Sequence, residues 1–148
     1  MKTEIAIGLL CVAAVLNWAG VAGAQAAPPA PKVQLPSGET VWDLSGDWEA
    51  LMEYSGPYAP LGTFTNVHRF TQTGSTFSAV RVKDDPPPAP GRAGNPVWRG
   101  ELGKDGFKRV EDIDHHGTVS PFKGRISDDG KTIVIDDGWS KKATLTRP

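Results

Sequence analysis

Apolar and polar positions alternate along most of the chain beyond residue 41, and short glycine-containing turns interrupt the alternation at regular intervals. Gly56-Pro57, Thr73-Gly74, the stretch from Pro86 to Pro96, Asp105-Gly106, His116-Gly117, Asp129-Gly130 and Asp137-Gly138 are the interruptions. The runs between them, rich in Val, Ile, Thr, Phe and Trp, predict eight strands at 45–54, 63–73, 75–83, 97–102, 107–113, 118–127, 131–136 and 141–147. No segment carries a helical period. Two of the turns, in "TQTGSTF" and "SDDGKTIVI", read as tight hairpins whose glycine supplies a positive φ.

Successive strand side chains point to opposite sides, so the alternation also assigns faces. In the first strand Gly46, Trp48, Ala50, Met52 and Tyr54 share the core face, and Asp47, Glu49 and Glu53 share the other. The second strand groups Phe64, Asn66, His68, Phe70 and Gln72. The third groups Phe77, Ala79 and Arg81 or, in the opposite parity, Val80 and Val82. Later strands offer Trp98, Gly100 and Leu102; Phe122, Gly124 and Ile126; Ile133 and Ile135; and Ala143, Leu145 and Arg147. The fifth, "GFKRVEDID", fits either face. An open sandwich would leave two edges to protect, whereas closing the strands removes them. Inward glycines at 46, 100 and 124 suit a bent, crowded barrel wall. The expected fold is therefore all-β, an eight-stranded antiparallel up-and-down barrel over residues 41–148.

Gly46, Asp47 and Trp48 open the first strand and Arg147 ends the last, in "ATLTR". This Gly-x-Trp with a terminal arginine resembles the structural signature of the lipocalin and calycin families. The rhythm "Q-x-G-x-x-F", "W-x-G" and "G-x-I-S-D-D-G-x-x-I" is similar to that of small secreted bacterial barrels of lipocalin-like type. The resemblance spans about Leu44 to Arg147. It implies that Trp48 plugs the closed end of the barrel and that Arg147 packs across its ring in a cation–π contact. The chain departs from the family in lacking a C-terminal helix pattern, disulfides and a Thr-Asp-Tyr motif. It also has no counterpart of the biotin-binding pattern of avidin-type barrels.

Ahead of the barrel, Lys2 precedes an apolar run from Ile5 to Leu16 and a small-residue site at Ala22, Gly23 and Ala24. This reads as a signal peptide over 1–24, with an uncleaved anchor as the alternative. Residues 25–40, rich in proline and alanine, read as a disordered extended tether. Cys11, the one cysteine, leaves with the signal, so the mature chain has no disulfide, thiol nucleophile or thiolate metal site. Export implies a periplasmic or secreted protein. The net charge of −1 argues against a nucleic-acid binder or a polybasic membrane-surface protein. A monomer is expected, with no membrane association once the signal is cleaved.

Candidate chemistry is sparse. Asn66, His68, Gln72 and Arg81 would project into the barrel from adjacent strands, where buried donors orient a ligand or satisfy one another. Arg81 suits a carboxylate. "EDIDHHG", Glu111 to Gly117, gathers acids and two histidines, but adjacent histidines in an extended chain point apart. The stretch reads as a solvated turn bent at Gly117, and no metal or other cofactor is expected. Ser45, Ser78, Ser120 and Ser140 lie in no nucleophile-elbow context. The loop 84–96, "DDPPPAPGRAGNP", holds five prolines and reads as a lid, a partner-contact surface or a tolerated insertion. Trp42 and Trp139 read as aromatics near an end of the barrel.

These observations lead to an exported, non-catalytic binding protein. It would hold a small apolar or amphipathic ligand in or at the mouth of the barrel, against Tyr54, Asn66, His68, Phe70, Phe77, Arg81 and Trp98. Eight short strands enclose a space that ordinary side chains can fill, so the ligand is expected to be small or at the mouth. The alternative is a protein-binding module, such as an inhibitor of an exported enzyme, acting through loop 84–96.

Overall fold

The structure, a computed structural model, describes residues 27–148. The expected signal peptide lies outside the described residues. A hairpin of β1 (Lys32–Gln34) and β2 (Thr40–Trp42) precedes eight longer strands: β3 (Gly46–Tyr54), β4 (Thr63–Thr73), β5 (Thr76–Arg81), β6 (Pro96–Gly103), β7 (Gly106–Ile113), β8 (Val119–Ile126), β9 (Thr132–Asp136) and β10 (Lys141–Thr146). The eight close into an antiparallel barrel in sequence order, with β10 pairing back onto β3. A short 3-10 helix, Gly56–Leu61, joins β3 to β4.

Alternation places the core as expected. Trp48, Ala50, Met52, Phe70, Phe77, Ala79, Trp98, Leu102, Ile133, Ile135, Ala143 and Leu145 are all buried. The third strand takes the first of its two parities: Arg81 is buried while Val82 is exposed. In β7, Val110 and Asp112 face inward, and a register shift between Glu101 and Leu102 brings Phe107 inward too, edge-on to Phe77 at 5.5 Å. A single extra residue in the ladder inverts the side-chain parity beyond it, which is why this strand fits no single face.

Of the three glycines expected to face inward, Gly100 is buried and Gly124 half-buried, whereas Gly46 is exposed at the start of β3, and they answer to different constraints. A Cβ on Gly100 would lie 2.1 Å from the Arg109 carbonyl oxygen and 2.8 Å from the Phe77 ring. Crowding demands glycine there, and likewise at Gly124 against Phe107. Gly46 meets nothing within 4 Å; its φ of 112° is the constraint, a conformation L side chains rarely adopt.

One end of the barrel is closed. Trp48 fills it, donating its indole N–H to the Leu44 carbonyl at 2.8 Å. The Arg147 guanidinium lies 4.6 Å from the centre of the Trp48 ring and donates to the carbonyls of Ser45 and Asp43. Gln72, at the same end, accepts from the Leu44 amide at 2.8 Å and donates to the carbonyls of Trp42 and Gly74. It is a latch for the chain entering the barrel, remote from the other inward polar residues.

Within the segment 25–40, expected as a disordered tether, the chain from Ala30 onward packs on the barrel instead. Ala30 is buried and donates its amide to Asp129, Lys32 stacks over Trp42, and the Trp42 ring lies against Gly130. Val33 and Leu35 have only short apolar neighbours in sequence, yet both pack on the core beside Val41. The proline-rich composition masks a hairpin whose turn rests on Gly38 at φ 87°.

The wall is not uniform. β7 pairs with β8 only from Val110 opposite Phe122 to Ile113 opposite Val119. A groove of about 510 Å³ opens beyond that point, with Phe107 to Arg109 on one side and Lys123 to Arg125 on the other.

Candidate functional site

The mouth lies opposite Trp48, framed by the 3-10 helix, loop 82–95 and the turns at 114–118 and 137–140. Ladder register brings inward polar residues together beneath it. His68 is opposite Arg81, Trp98 is opposite Asp112, and Tyr54 is opposite Lys141. Each pair lies across two adjacent strands, so three cross-strand pairs make one layer around the barrel.

The layer holds two buried ion pairs. Arg81 Nε donates to Asp85 at 3.0 Å, and the two side chains are 5% and 3% exposed. Lys141 Nζ lies 2.5 Å from Asp112, with 10% and 9% exposure. Asn66 Nδ2 adds a second donor to Asp85 at 2.5 Å. The Lys141 ammonium also faces aromatic rings, 4.9 Å from the centre of Trp98 and 5.9 Å from those of Tyr54 and Phe122. Burial pulls its pKa down while Asp112 opposes the shift. Burial pushes the Tyr54 phenol up to about 12, with Arg81 opposing and Asp85 and Asp112 adding to the rise.

His68 sits at the bottom of this layer, fully buried. Its Nδ1 accepts the Trp98 indole N–H at 3.1 Å, so in the neutral ring the proton is on Nε2. That Nε2 finds no hydrogen-bond partner among the described residues. Burial, then the charges of Arg81 and Lys141, hold the imidazole pKa down to about 3. His68 is therefore a neutral donor at ordinary pH. A buried donor left unmet costs about 1–3 kcal/mol, which marks the position as one where packing alone is not the governing requirement.

Loop 84–95 closes over one side. Asp85 turns into the barrel and Ala89 is buried, while Asp84 accepts from the Ala93 amide at 2.8 Å on the outer side. A Cβ on Gly91 would fall 2.1 Å from Asp85 Oδ2 and 2.3 Å from Arg81 Nε, so the glycine backbone seals the ion pair. On the opposite side, Tyr54, Trp139, Ser140 and Lys141 help to line a rim hollow of about 460 Å³. Trp139 is 66% exposed there and Tyr58 52%. The hollow is held by Asp137, whose carboxylate accepts the Trp139, Ser140 and Lys141 amides and the Ser140 hydroxyl. Burial raises its pKa, but these hydrogen bonds outweigh that and bring it to about 2.

Among the residues expected from sequence, Tyr54, Asn66, His68, Arg81 and Trp98 come together in this layer. Phe70 and Phe77 lie deeper, in a series of tilted rings running from Trp48 to Phe70 at 6.0 Å and on to Phe77 at 5.8 Å. Asp85, Asp112 and Lys141 escape sequence reasoning. Alternation from Ala143 and Leu145 points Lys141 inward, and Val110 does the same for Asp112. Asp85 has no periodic signal, because a loop delivers it.

The His115-His116 segment is a turn, with the Asp114 carboxylate accepting the His116 and Thr118 amides at 2.8 Å and Gly117 at φ 82°. The two rings face each other at 3.8 Å instead of pointing apart, because the chain there is bent. No group of three or more His, Cys, Asp or Glu suited to a metal occurs among the described residues. Comparison with known proteins finds no matching family model, no matching curated protein and no matching solved structure.

Proposed function

We propose that this protein is an exported, lipocalin-like binding protein that holds a small amphipathic molecule at the mouth of its barrel and carries out no reaction on it. The observation that carries the reading is the buried charged layer of Arg81, Asp85, Asp112 and Lys141 above a core already filled by Trp48, Phe70, Phe77 and Trp98. Buried ion pairs add little stability over well-packed apolar residues of similar volume. A wall that could have continued in Leu and Ile instead concentrates donors and acceptors where a ligand would arrive, a pattern typical of binding sites. The rim hollow supplies the apolar side through Tyr54 and Trp139. The lipocalin-like assignment is supported by Arg147 over Trp48, the contact that the family signature implies.

The test is native mass spectrometry of the protein purified gently from its exported fraction, compared with its denatured mass. An added mass lost on denaturation is the expected result. A bare mass, with no shift on addition of amphipathic carboxylates, overturns the reading.

The filled core also favours a second reading, an exported protein partner recognised by the outer face of loop 84–96. That face carries the exposed Arg92–Asp84 pair at 3.6 Å. Co-purification of one defined partner, lost when Arg92 is substituted, would support it.

A further inference from the structure

Asp85 reaches its partners from outside the wall. The donors that hold it, Asn66 Nδ2 and Arg81 Nε, belong to β4 and β5, while Asp85 descends from the loop as an incoming carboxylate would. Both donors are anchored independently of it. Asn66 also donates to the Lys83 carbonyl at 3.1 Å and accepts the Val67 amide at 2.6 Å, and Arg81 donates to the Pro96 carbonyl at 3.4 Å. The two donors thus have partners other than the carboxylate to hold them.

The loop is also tied together as a unit. Residues 84–93 bond among themselves: Asp85 to Gly91, Ala89 to Pro86, and Ala93 to the Asp84 side chain. Asn95 ties to Arg92 through both its amide and its side chain, and Gly94 and Asn95 fasten the base to Arg81. Among the described residues, the hydrogen bonds joining 84–93 to the barrel wall are the two made by the Asp85 carboxylate. Lifting the loop would therefore break the Arg81 ion pair and the Asn66 hydrogen bond of Asp85 and uncover Ala89 and Gly91, with the loop's internal bonds intact.

We propose that Asn66 and Arg81 form a carboxylate-binding site that Asp85 occupies as a resident stand-in, and that an organic carboxylate binds by displacing Asp85 and swinging loop 84–93 outward. The exchange conserves charge at the site: one carboxylate replaces another on Arg81, and Asp85 moves from a buried position into water. It rests on the mouth-binding reading above only for the apolar remainder of the ligand. The class is set by what already sits there, a single carboxylate accepting from one guanidinium and one amide.

The test uses the whole protein and its Asp85→Ala variant, with acetate and octanoate as probes, acetamide as the neutral control, and sodium chloride to match ionic strength. Acetate is expected to raise the thermal midpoint of Asp85→Ala and leave that of the wild type unmoved, and acetamide to do neither. Octanoate is expected to bind Asp85→Ala at least about tenfold tighter than the wild type, because no resident carboxylate has to be displaced. Failure of acetate to stabilise the folded variant overturns the carboxylate site. Octanoate uptake at equal affinity by both proteins overturns the stand-in role while leaving mouth binding intact. Acetate rescue with octanoate taken up by neither supports the carboxylate site and removes the amphipathic ligand. Should Asp85→Ala not fold, the Arg81 Nε–H resonance of the wild type is followed instead. A shift on adding octanoate supports the exchange, and an unmoved resonance up to the solubility limit overturns it.

Discussion

Trp98 donates its indole N–H to Nδ1 of His68 across 3.1 Å, and that bond leaves the imidazole proton on Nε2, facing the interior with no acceptor among the described residues. The ring also sees two cations, Arg81 and Lys141, which are paired with Asp85 and Asp112 respectively. Protonating it would bury a third positive charge. Its pKa accordingly falls from 6.5 to about 3.

Stability should therefore fall as the solution is acidified below about pH 6.5. Above that pH the imidazole is neutral whether the chain is folded or not. Below it, the unfolded chain takes up a proton that the folded one refuses, so stability rises with pH across the window and is lost as pH drops toward 3. The expected slope is about 1.4 kcal/mol per pH unit. Urea unfolding from about pH 7 down to about pH 5 measures it. His68→Gln, which retains an acceptor for Trp98, should lose this part of the slope. An unchanged slope in the variant would mean that His68 titrates normally in the folded barrel.

The Lys141–Asp112 pair should behave unlike a stabilising contact. Lys141→Met leaves Asp112 buried and unpaired and should cost about 3–5 kcal/mol. Adding Asp112→Leu should recover most of the loss, because the apolar pair removes both desolvation penalties. A double variant no more stable than the single one would show that the ion pair itself holds the mouth together.

At the closed end, Trp48→Ala should cost about 3–5 kcal/mol through the cavity it leaves. Arg147→Lys should not substitute for arginine, since the guanidinium both covers the ring and bridges the carbonyls of Asp43 and Ser45, which a single ammonium cannot do. A double-mutant cycle between positions 48 and 147 should give a coupling of about 0.5–2 kcal/mol. No coupling would make the contact incidental.

Asp137 holds the rim turn through three backbone amides and one hydroxyl, and its pKa of about 2 makes that hold robust to acid. A carboxylate whose folded pKa is depressed contributes fully above its unfolded value of 3.8 and loses the contribution as pH falls toward 2. Asp137→Ala should destabilise the protein by about 2 kcal/mol at neutral pH. The exposed Trp139 reports it: its fluorescence should shift in the variant at neutral pH, and in the wild type only near pH 2.

Much of the barrel is legible in the sequence because period-2 burial and glycine turns are local signals. Trp48, Ala50 and Met52 face the core by simple alternation from Gly46, and the same rule brings Asn66, His68 and Arg81 to one layer. The rule fails where the ladder gains a residue, so Phe107 and Val110 both face inward at an odd spacing. It is silent for Asp85, whose position depends on the path of a proline loop and on the bare backbone of Gly91 above it. Gln72 shows a further limit: it obeys the alternation, yet lies at the opposite end from the residues it was grouped with, because parity says which face and not which height. The hairpin of 32–42 is hidden by composition, since its apolar residues are few and become a core only against the barrel.

The β1–β2 hairpin has a geometric corollary. Ala30 bonds to Asp129 and Arg147 to Lys131, so the described chain enters and leaves the barrel on the same side, beneath Trp48. The 3-10 helix, loop 84–95 and Trp139 all stand on the other side. A fusion or surface linkage made through either flank of residues 30–147 would thus present the mouth outward, with the Trp48 end toward the attachment.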